Sequence, residues 1–388
     1  MGAMMSNRKP FVVSRRSIDN VIASMPKARA FDDDLAPIDL FIGARGFEER
    51  VLAIPRKLQG LGSKIRGSAL LGVYQTNESD NAERESELLP VLSELGVVPA
   101  YFQADSPEDT CKKIVQALGR DDGEARHVLF DISGASSPLI FSTIGALRSA
   151  PCRIHLTIAY AAARHYHEPT TVSRDCPVAL WSTDDLREQG VRDVDVNELF
   201  RGIHHDNFPG YAIVFPSMYA PRLQRCLSHL GVGANSGAED SVYWVLPSTT
   251  DPEHEWRQSA TTDSLVAMIH GQNLSVSSNS ASLPASRHTF CGVSDYLNSL
   301  RIVVEHVDQK AGSNISLIHM GTKMQAVGCA LALCGRAEVA LVGARPEAFA
   351  AKKYSSGIGD ILSISLPNLH DMVRQIGEVG MIDVDHLQ

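Results

Sequence analysis

Short apolar segments alternate with amphipathic segments along most of this chain, and this alternation limits the fold more than any other feature of the sequence. From Ile38 onward, apolar segments such as IDLFIGA and RHVLFDISGA are each followed by a segment with helical periodicity. Strands that are apolar at every position are buried on both faces, as in a parallel sheet that helices cover on both sides. The sequence therefore predicts an α/β fold with mainly parallel sheets.

The alternation occurs in two series, which indicates two domains. A chain of 388 residues exceeds the usual size of one domain. The first series closes with the strand CRIHLTIAYAA; the second opens with YAIVFPS and closes with DILSISLP, which we assign to a second sheet. We predict two tandem Rossmann-like domains. The predicted segments are an N-terminal extension (1–37), a first domain (38–167), a connector (168–209) and a second domain (210–388).

Parts of the two series match each other. DISGASSPLIFSTIGAL in the first half corresponds to IHMGTKMQAVGCALALC in the second, which places Gly134 opposite Gly321 and Ser136 opposite Lys323. A further apolar strand follows each of these helices at the same spacing. Because the match continues through a turn, a helix and a strand, we predict a duplicated fold whose halves are related by a pseudo-twofold axis.

The composition excludes several classes of protein. Apolar residues make up 44% of the chain and charged residues 21%, and no stretch approaches the ~20 consecutive apolar residues of a membrane-spanning helix. The net charge of −9 gives no basic field that would attract duplex nucleic acid. The N-terminus lacks the apolar core of a signal peptide, and residues 1–4 have the appearance of a cloning scar. We expect a cytoplasmic protein that binds neither membranes nor duplex nucleic acid.

Neither the cysteines nor the histidines form a recognisable metal motif. The seven cysteines are spaced singly, without a C-x-x-C pair, and we interpret them as reduced thiols that lie mostly in the core. The histidines lack the H-E-x-x-H spacing of a helical zinc site. The glycine motifs of P-loop and dinucleotide-binding proteins are also absent from the sequence. We predict no metal and no cofactor.

The turn Gly321-Thr322-Lys323 is the strongest candidate ligand site. It follows an apolar strand and opens a helix rich in small residues, which places it at the sheet edge where open α/β folds bind ligands. Backbone amides, the Thr322 hydroxyl and the Lys323 ammonium would converge there on a phosphate or carboxylate. A cation at a helix N-terminus opposes the helix dipole unless an anion offsets it. The alternative is a lysine that simply reaches solvent.

The corresponding turn of the first half contains no cation. Asp131 ends a buried strand, so we expect its carboxylate to bind backbone amides, hydroxyls or a ligand ribose. Ser133 and Ser136 precede Pro138 at the start of a helix, and together with Gly134 they are candidates for ligand contact. A simple helix cap formed by one of the two serines is the alternative.

Further candidates lie at other strand ends. Arg45 and Gly46 follow the first strand, where Arg45 is placed to contact a phosphate. Glu48 and Glu49 open the next helix, and we expect both to face water. Asn77 follows the second strand and is either a ligand contact or a turn former.

Residues 343–360 have the composition of a flexible loop and leave the strand beside the Gly321 turn. Arg345, Lys352, Lys353 and Tyr354 would bring cations and one aromatic ring over an anion, and the glycines would allow the loop to move. We interpret this segment as a candidate lid that binds ligand through Arg345 and Tyr354. A surface loop without function is the alternative.

A strand that ends in Gly-Thr-Lys before a small-residue helix, as at residues 321–323, resembles the motif of CRISPR-associated Rossmann-fold (CARF-like) sensor domains. Those domains bind cyclic oligoadenylates across a twofold axis. Two such domains in one chain resemble the fused, pseudo-symmetric sensors of that class. The resemblance implies a nucleotide sensor of antiviral defence, although the first half has Ala135-Ser136 where the motif has its Thr-Lys pair.

From these observations we expect a sensor or adaptor that binds a small anionic nucleotide or phosphorylated nucleoside-like ligand without turning it over. It would act through a protein partner or as a homodimer. Two alternatives remain open. One is a nucleotide hydrolase or glycosyl-transferring enzyme that uses Asp131 and Lys323, and the other is a non-catalytic scaffold subunit with a vestigial pocket.

Overall fold

The computed structural model of this chain describes residues 17–31, 35–120, 123–166, 188–232, 241–270, 283–349 and 355–380. Their strands follow in chain order: β1 (Arg29–Ala30), β2 (Ile38–Ala44), β3 (Ile65–Val73), β4 (Ala100–Gln103), β5 (Ala125–Asp131), β6 (Arg153–Tyr166), β7 (Glu188–Gln189), β8 (Asp193–Arg201), β9 (Gly210–Phe215), β10 (Val242–Ser248), β11 (His288–Gly292), β12 (Asn314–His319), β13 (Ala340–Arg345), β14 (Ala348–Phe349) and β15 (Ser355–Leu366).

Helices connect most of these strands. They are α1 (Ile18–Ser24), α2 (Ala53–Gly60), α3 (Glu78–Asn81), α4 (Glu85–Glu94), α5 (Pro107–Leu118), α6 (Ser137–Arg148), α7 (Ala220–His229), α8 (Glu255–His270), α9 (Tyr296–Gln309), α10 (Lys323–Gly335) and α11 (Leu369–Gly377). No helix within the described residues is long and apolar enough to cross a membrane.

Most of these strands form two large sheets, and β7 pairs antiparallel with β14 in a third sheet. The first has seven strands in the order β1-β15-β6-β5-β2-β3-β4, and the second has six in the order β11-β10-β9-β12-β13-β8. Pairing is parallel from β6 through β4 in the first sheet and from β11 through β13 in the second. The predicted α/β fold with two Rossmann-like, mainly parallel sheets is confirmed.

The parallel strands of both sheets have the same spatial order. Counted along the chain within each half, both sheets run third, second, first, fourth, fifth. The helices after the fourth strands have Ser136 and Thr322 as their N-caps, so they begin one residue away from the predicted pairing of Ser136 with Lys323. The common order agrees with a duplication, which stays a prediction.

The two halves exchange one strand each. β8 follows the first series along the chain but pairs antiparallel with β13 of the second sheet. Conversely, β15 follows the second series but pairs antiparallel with β6 of the first sheet. Our assignment of DILSISLP to the second sheet is therefore wrong. An apolar segment shows that a strand is buried but not which sheet edge receives it, so the sequence pattern was insufficient here. The domain boundaries stay a prediction.

The segment predicted as a mobile lid is also different from our expectation. Of residues 343–360, the first three end β13, two form β14, and the last six begin β15. The lid assignment is wrong for these described residues; Lys352, Lys353 and Tyr354 lie outside the described residues. The polar start of β15 is held by backbone pairing with β6, from Ser355 opposite Tyr166 onward, so its strand conformation left no apolar signal in the sequence.

Helices α6 and α10 pack against each other where the two halves meet. Phe141 of α6, Met324 of α10 and Phe215 of β9 belong to one continuous cluster of buried apolar residues. This shared core means that the relative position of the two sheets is set by side-chain packing rather than by a linker.

We expect Gly328→Ala in α10 to destabilise the fold, because an added Cβ would lie 2.0 Å from the carbonyl oxygen of Tyr296 in α9. The backbone of one helix would have to move, at a cost of roughly 1–3 kcal/mol in unfolding free energy. Urea denaturation measures the change. The control is Gly60→Ala, where a Cβ meets nothing within 4 Å; equal stability of both variants would contradict the close packing of α9 and α10.

Candidate ligand-binding site

The carboxyl ends of both sheets open onto one cavity of about 1790 Å³. Its lining includes the turns that follow β2 and β5 of the first sheet and the turns that follow β9, β12 and β13 of the second. Single small-molecule pockets usually have a volume of roughly 300–1,000 Å³, so this cavity has room for a ligand larger than a mononucleotide.

Lys323 lies at the start of α10 and lines this cavity. Its ammonium group donates a hydrogen bond to the carbonyl oxygen of Ala135, which belongs to the turn of the other half. The side chain is half-buried rather than extended into solvent. Burial lowers the pKa of Lys323 to about 7; the nearby charge of Arg50 lowers it further, and Glu48 and Asp131 oppose this shift.

Hydrogen bonds fix the turn that carries Lys323. Thr322 caps α10: its hydroxyl accepts a hydrogen bond from the Gln325 amide at 3.3 Å and donates one to the carbonyl oxygen of Val293 at 2.5 Å. The Gln325 side chain accepts one in return from the Thr322 amide at 3.0 Å. Gly321 completes the turn, because a Cβ there would lie 2.4 Å from the Gln325 side-chain oxygen. This capping box holds the helix N-terminus open toward the cavity.

A buried ion pair forms the neighbouring wall. Arg50 donates to Glu48 at 2.7 Å, and the two side chains are only 2% and 9% exposed. The Ser355 hydroxyl donates to the second carboxylate oxygen of Glu48, and Arg50 also donates to the Tyr160 hydroxyl at 3.4 Å. Burial favours a raised pKa of Glu48, but the charges of Arg50 and Lys323 outweigh it, so the pKa is lowered.

Our expectation that Glu48 faces water is wrong. Ser355 of β15 and Tyr160 of β6 cover the turn after β2, and both belong to the strand pair created by the exchange. Sequence reasoning also missed Arg50. The Glu-x-Arg spacing in GFEER was the available signal, since it allows the two side chains of one turn to pair.

Asp131 and Ser133 support the turn after β5 but do not line the cavity. Asp131 is 3% exposed, and its carboxylate accepts a hydrogen bond from the Ser133 amide at 2.8 Å. The Ser133 hydroxyl accepts one from the Ala161 amide of β6 at 2.9 Å. Burial raises the pKa of Asp131 to about 7. These two side chains tie the turn to the neighbouring strand.

The next residues of this turn reach the cavity. Gly134 and Ser136 both line it. The Ser136 hydroxyl accepts a hydrogen bond from the Leu139 amide at 3.3 Å and so caps α6. The Ser136 amide donates to the Tyr74 hydroxyl at 2.7 Å, which fixes the turn from the side of β3.

Some of the remaining candidate residues line the cavity and others do not. Arg45 does not line the cavity and instead pairs with Glu85 at 3.5 Å. Gly46, Asn77 and Arg345 do line it. Tyr354 lies outside the described residues. Of the sequence candidates, the structure thus brings the following together around one cavity: Gly46, Asn77, Gly134, Ser136, Gly321, Thr322, Lys323 and Arg345.

Two of these peripheral residues already have partners. Asn77 adopts a left-handed backbone conformation with φ of 55°, and its side-chain amide donates to Asp80 at 2.8 Å. Arg345 donates to Asp195 of β8 at 2.5 Å and lies 3.6 Å from Asp193. The exchanged strand β8 therefore holds Arg345 in place at the rim.

Sequence reasoning missed His319, which ends β12 and also lines the cavity. It is 8% exposed, and neither ring nitrogen has a hydrogen-bond partner within the described residues. Its ring lies between Phe141 and Phe215, with centroid distances of 5.6 and 5.5 Å. Burial lowers the pKa of His319 to about 3, so the imidazole is neutral at physiological pH. The one signal in the sequence that could have identified His319 as a site residue was its position directly before the Gly321 turn.

Within the described part of the chain, no group of three or more His, Cys, Asp or Glu side chains is arranged to hold a metal ion. The absence of a metal and of a cofactor stays a prediction.

Comparison with known proteins gives only distant likenesses. No protein-family model matches the sequence, and no curated protein matches it. The chain is similar to a type III CRISPR defence DNA nuclease activated by cyclic oligoadenylate, with 12% identity and a TM-score of 0.41 over 76% of this chain. The chain spans 63% of the length of that nuclease.

Two further solved structures are less similar. The cytoplasmic domain of a prokaryotic cation chloride cotransporter is 8% identical, with a TM-score of 0.21 over 80% of this chain and 95% of its own. The holo-form of aconitase X from Thermococcus kodakaraensis is 12% identical, with a TM-score of 0.19 over 91% of this chain and 89% of its own. Likenesses with TM-scores this low say nothing about function, so the geometry of the cavity must carry any proposal.

We expect Asp131→Asn to stabilise the protein, and to do so more at pH 8 than at pH 5. The folded-state pKa of about 7 lies above the ordinary value, so the buried carboxylate costs stability once it ionises, and this cost grows as the pH rises from about 4 to 7. Asparagine keeps the acceptor for the Ser133 amide and removes the charge. Urea unfolding at both pH values measures the difference, with an upper bound of about 4 kcal/mol. A benefit that does not grow with pH would contradict a buried, titrating Asp131.

Proposed function

We propose that this protein is a sensor or adaptor that binds an anionic nucleotide-like ligand in the cavity between its two sheets. One observation carries the proposal: the Lys323 ammonium is held inside the cavity beside the N-terminus of α10, and a carbonyl oxygen rather than a carboxylate binds it. A half-buried cation and a helix N-terminus at the same point both favour a bound anion. A phosphate group matches this combination best.

Binding without catalysis is the better reading of the site. The enzyme alternative uses Asp131 and Lys323 together, yet Asp131 does not line the cavity and its carboxylate is engaged by the Ser133 amide. Glu48, a carboxylate whose charge acts on Lys323, is already bound to Arg50 and Ser355. Asp131 is thus kept away from a ligand in the cavity, and Glu48, which lines the cavity, is held as an ion-paired carboxylate with a lowered pKa, so neither acid suits the role of a general acid or base.

The exchanged strands suggest how a bound ligand would be sensed. Glu48 is bound by Ser355, the first residue of β15, while Arg345, which also lines the cavity, is bound by Asp195 of β8. An anion at Lys323 changes the charge balance around Glu48, and Ser355 would pass this change to β15 of the first sheet. Such an output fits a protein that reports to a partner or to a second copy of itself.

A role in antiviral defence follows from the resemblance of Gly321-Thr322-Lys323 to the CARF-like motif. The common strand order of the two sheets supports the duplicated, pseudo-symmetric arrangement that this class uses. A cyclic oligoadenylate is therefore the first ligand to test, and a cytoplasmic location accords with this role.

We expect Lys323→Ala to weaken ligand binding about 10- to 100-fold, which corresponds to the loss of one charge-assisted hydrogen bond. Isothermal titration calorimetry with cyclic oligoadenylates, cyclic dinucleotides, linear oligoadenylates and mononucleotides first identifies the probe that wild type binds. Lys112→Ala is the matched control, because Lys112 is exposed on α5 and does not line the cavity. Unchanged affinity of the Lys323 variant, or failure of every probe to bind wild type, would overturn the proposal.

The affinity should also depend on pH. A bound anion raises the pKa of Lys323 above its ligand-free value of about 7, so binding is strongest below pH 7 and weakens as the pH rises from 7 toward the bound-state value, by at most about tenfold per unit. A cyclic probe is used because its phosphodiesters do not titrate in this range. Lys323→Arg should flatten the profile, since its guanidinium stays charged. The same slope in both proteins would show that Lys323 does not contact the anion.

A further inference from the structure

A second cationic group lines the same cavity. Arg257 of α8 and Tyr166, the last residue of β6, both line the cavity and come from different halves of the chain. The Arg257 guanidinium lies over the Tyr166 ring, 4.5 Å from its centroid, and 5.8 Å from the centroid of Trp256. His254 packs edge-on against Tyr166 with a centroid distance of 5.3 Å.

The Arg257 guanidinium has at least one hydrogen-bond donor without a partner. Its Nη1 atom is buried and has no partner within the described residues. The neighbouring acid Asp251 instead pairs with His254, at 2.9 Å. A guanidinium has five N–H donors and is costly to bury without acceptors. Stacking on an aromatic ring fixes its plane and leaves its N–H edge available, which suits a phosphate.

A series of interacting polar side chains links Arg257 to Lys323. Tyr160 and Tyr166 both belong to β6 and line the cavity; burial, followed by the interaction with Tyr166, raises the pKa of Tyr160. Tyr160 in turn accepts from Arg50, which pairs with Glu48. Glu48 interacts electrostatically with Lys323. Lys323 and Arg257 therefore line the same cavity and are linked by a series of interacting side chains, which makes one ligand that contacts both the natural hypothesis.

We propose that Arg257 forms a second phosphate subsite, with Tyr166 as the residue that positions its guanidinium. The ligand is then a linear or cyclic oligonucleotide with at least two phosphates, and not a mononucleotide. This inference rests on the proposed function and narrows its ligand class. The cavity volume of about 1790 Å³ accommodates such a ligand.

The test compares probes of increasing length: AMP, linear di-, tri- and tetra-adenylate, and cyclic tetra-adenylate. In wild type, affinity should increase with length from the shortest probe that binds. Arg257→Gln should lower the affinity for the longer probes about tenfold or more. Its affinity for the shortest probe that binds should equal that of wild type. Tyr166→Leu should have a smaller effect of the same kind, and Arg257→Lys should restore part of the increase. Lys323→Ala should weaken every probe.

Arg225→Gln on α7 is the matched control, because Arg225 is exposed and does not line the cavity. Thermal melting checks that each variant folds. An unchanged length dependence in Arg257→Gln, or an equal loss for all probes, would overturn the second subsite while leaving the proposed function intact. If no probe binds wild type, both proposals fail.

Discussion

The packing of α6 against α10 is the contact on which the rest of the structure depends. Both helices are rich in small and apolar residues and are buried on most sides, so they approach each other closely and merge the cores of the two halves. Each helix begins at the carboxyl edge of its own sheet. Bringing the helices together therefore brings both edges together, and one cavity forms where two separate domains would have two.

Charge is concentrated at this junction at an energetic cost. Lys323 and Asp131 have pKa values shifted toward their neutral forms by burial, and Glu48 and Arg50 are buried as a pair. Buried ion pairs seldom stabilise a fold relative to apolar packing. Glu48, Arg50 and Lys323 line the cavity, and within the described residues both His319 ring nitrogens and Arg257 Nη1 have no hydrogen-bond partner. Buried charges and unsatisfied polar atoms in one cavity are typical of ligand-binding sites.

The sequence was sufficient for the parallel core of the fold. Continuous apolar segments identified β2, β5, β9 and β12, because strands buried on both faces leave a strong signal. The sheet to which each exchanged strand belongs could not be predicted from the sequence pattern. β8 follows weakly periodic sequence, and the polar start of β15 is stabilised by backbone pairing, so neither segment reveals its partner.

Part of the candidate site could also be predicted from local sequence pattern, and part could not. Gly321, Thr322 and Lys323 lie between a strand and a helix that the sequence pattern identifies, so their position at the sheet edge could be predicted. They line the cavity. Arg257 and Tyr166 become neighbours only through the packing of one half against the other. Local sequence pattern cannot show pairs of this kind. We assigned Glu48 to solvent for a similar reason: Ser355, which contacts it, lies 307 residues away along the chain.

The central claim is that one ligand contacts the turns of both halves at once. Hydrogen exchange with and without the nucleotide probe that binds tightest measures this directly, with calorimetry supplying the stoichiometry. We predict one ligand per chain and slower exchange in both the 133–138 turn and the 320–325 turn. Two ligands per chain, or protection confined to one of the two turns, would contradict a single shared site.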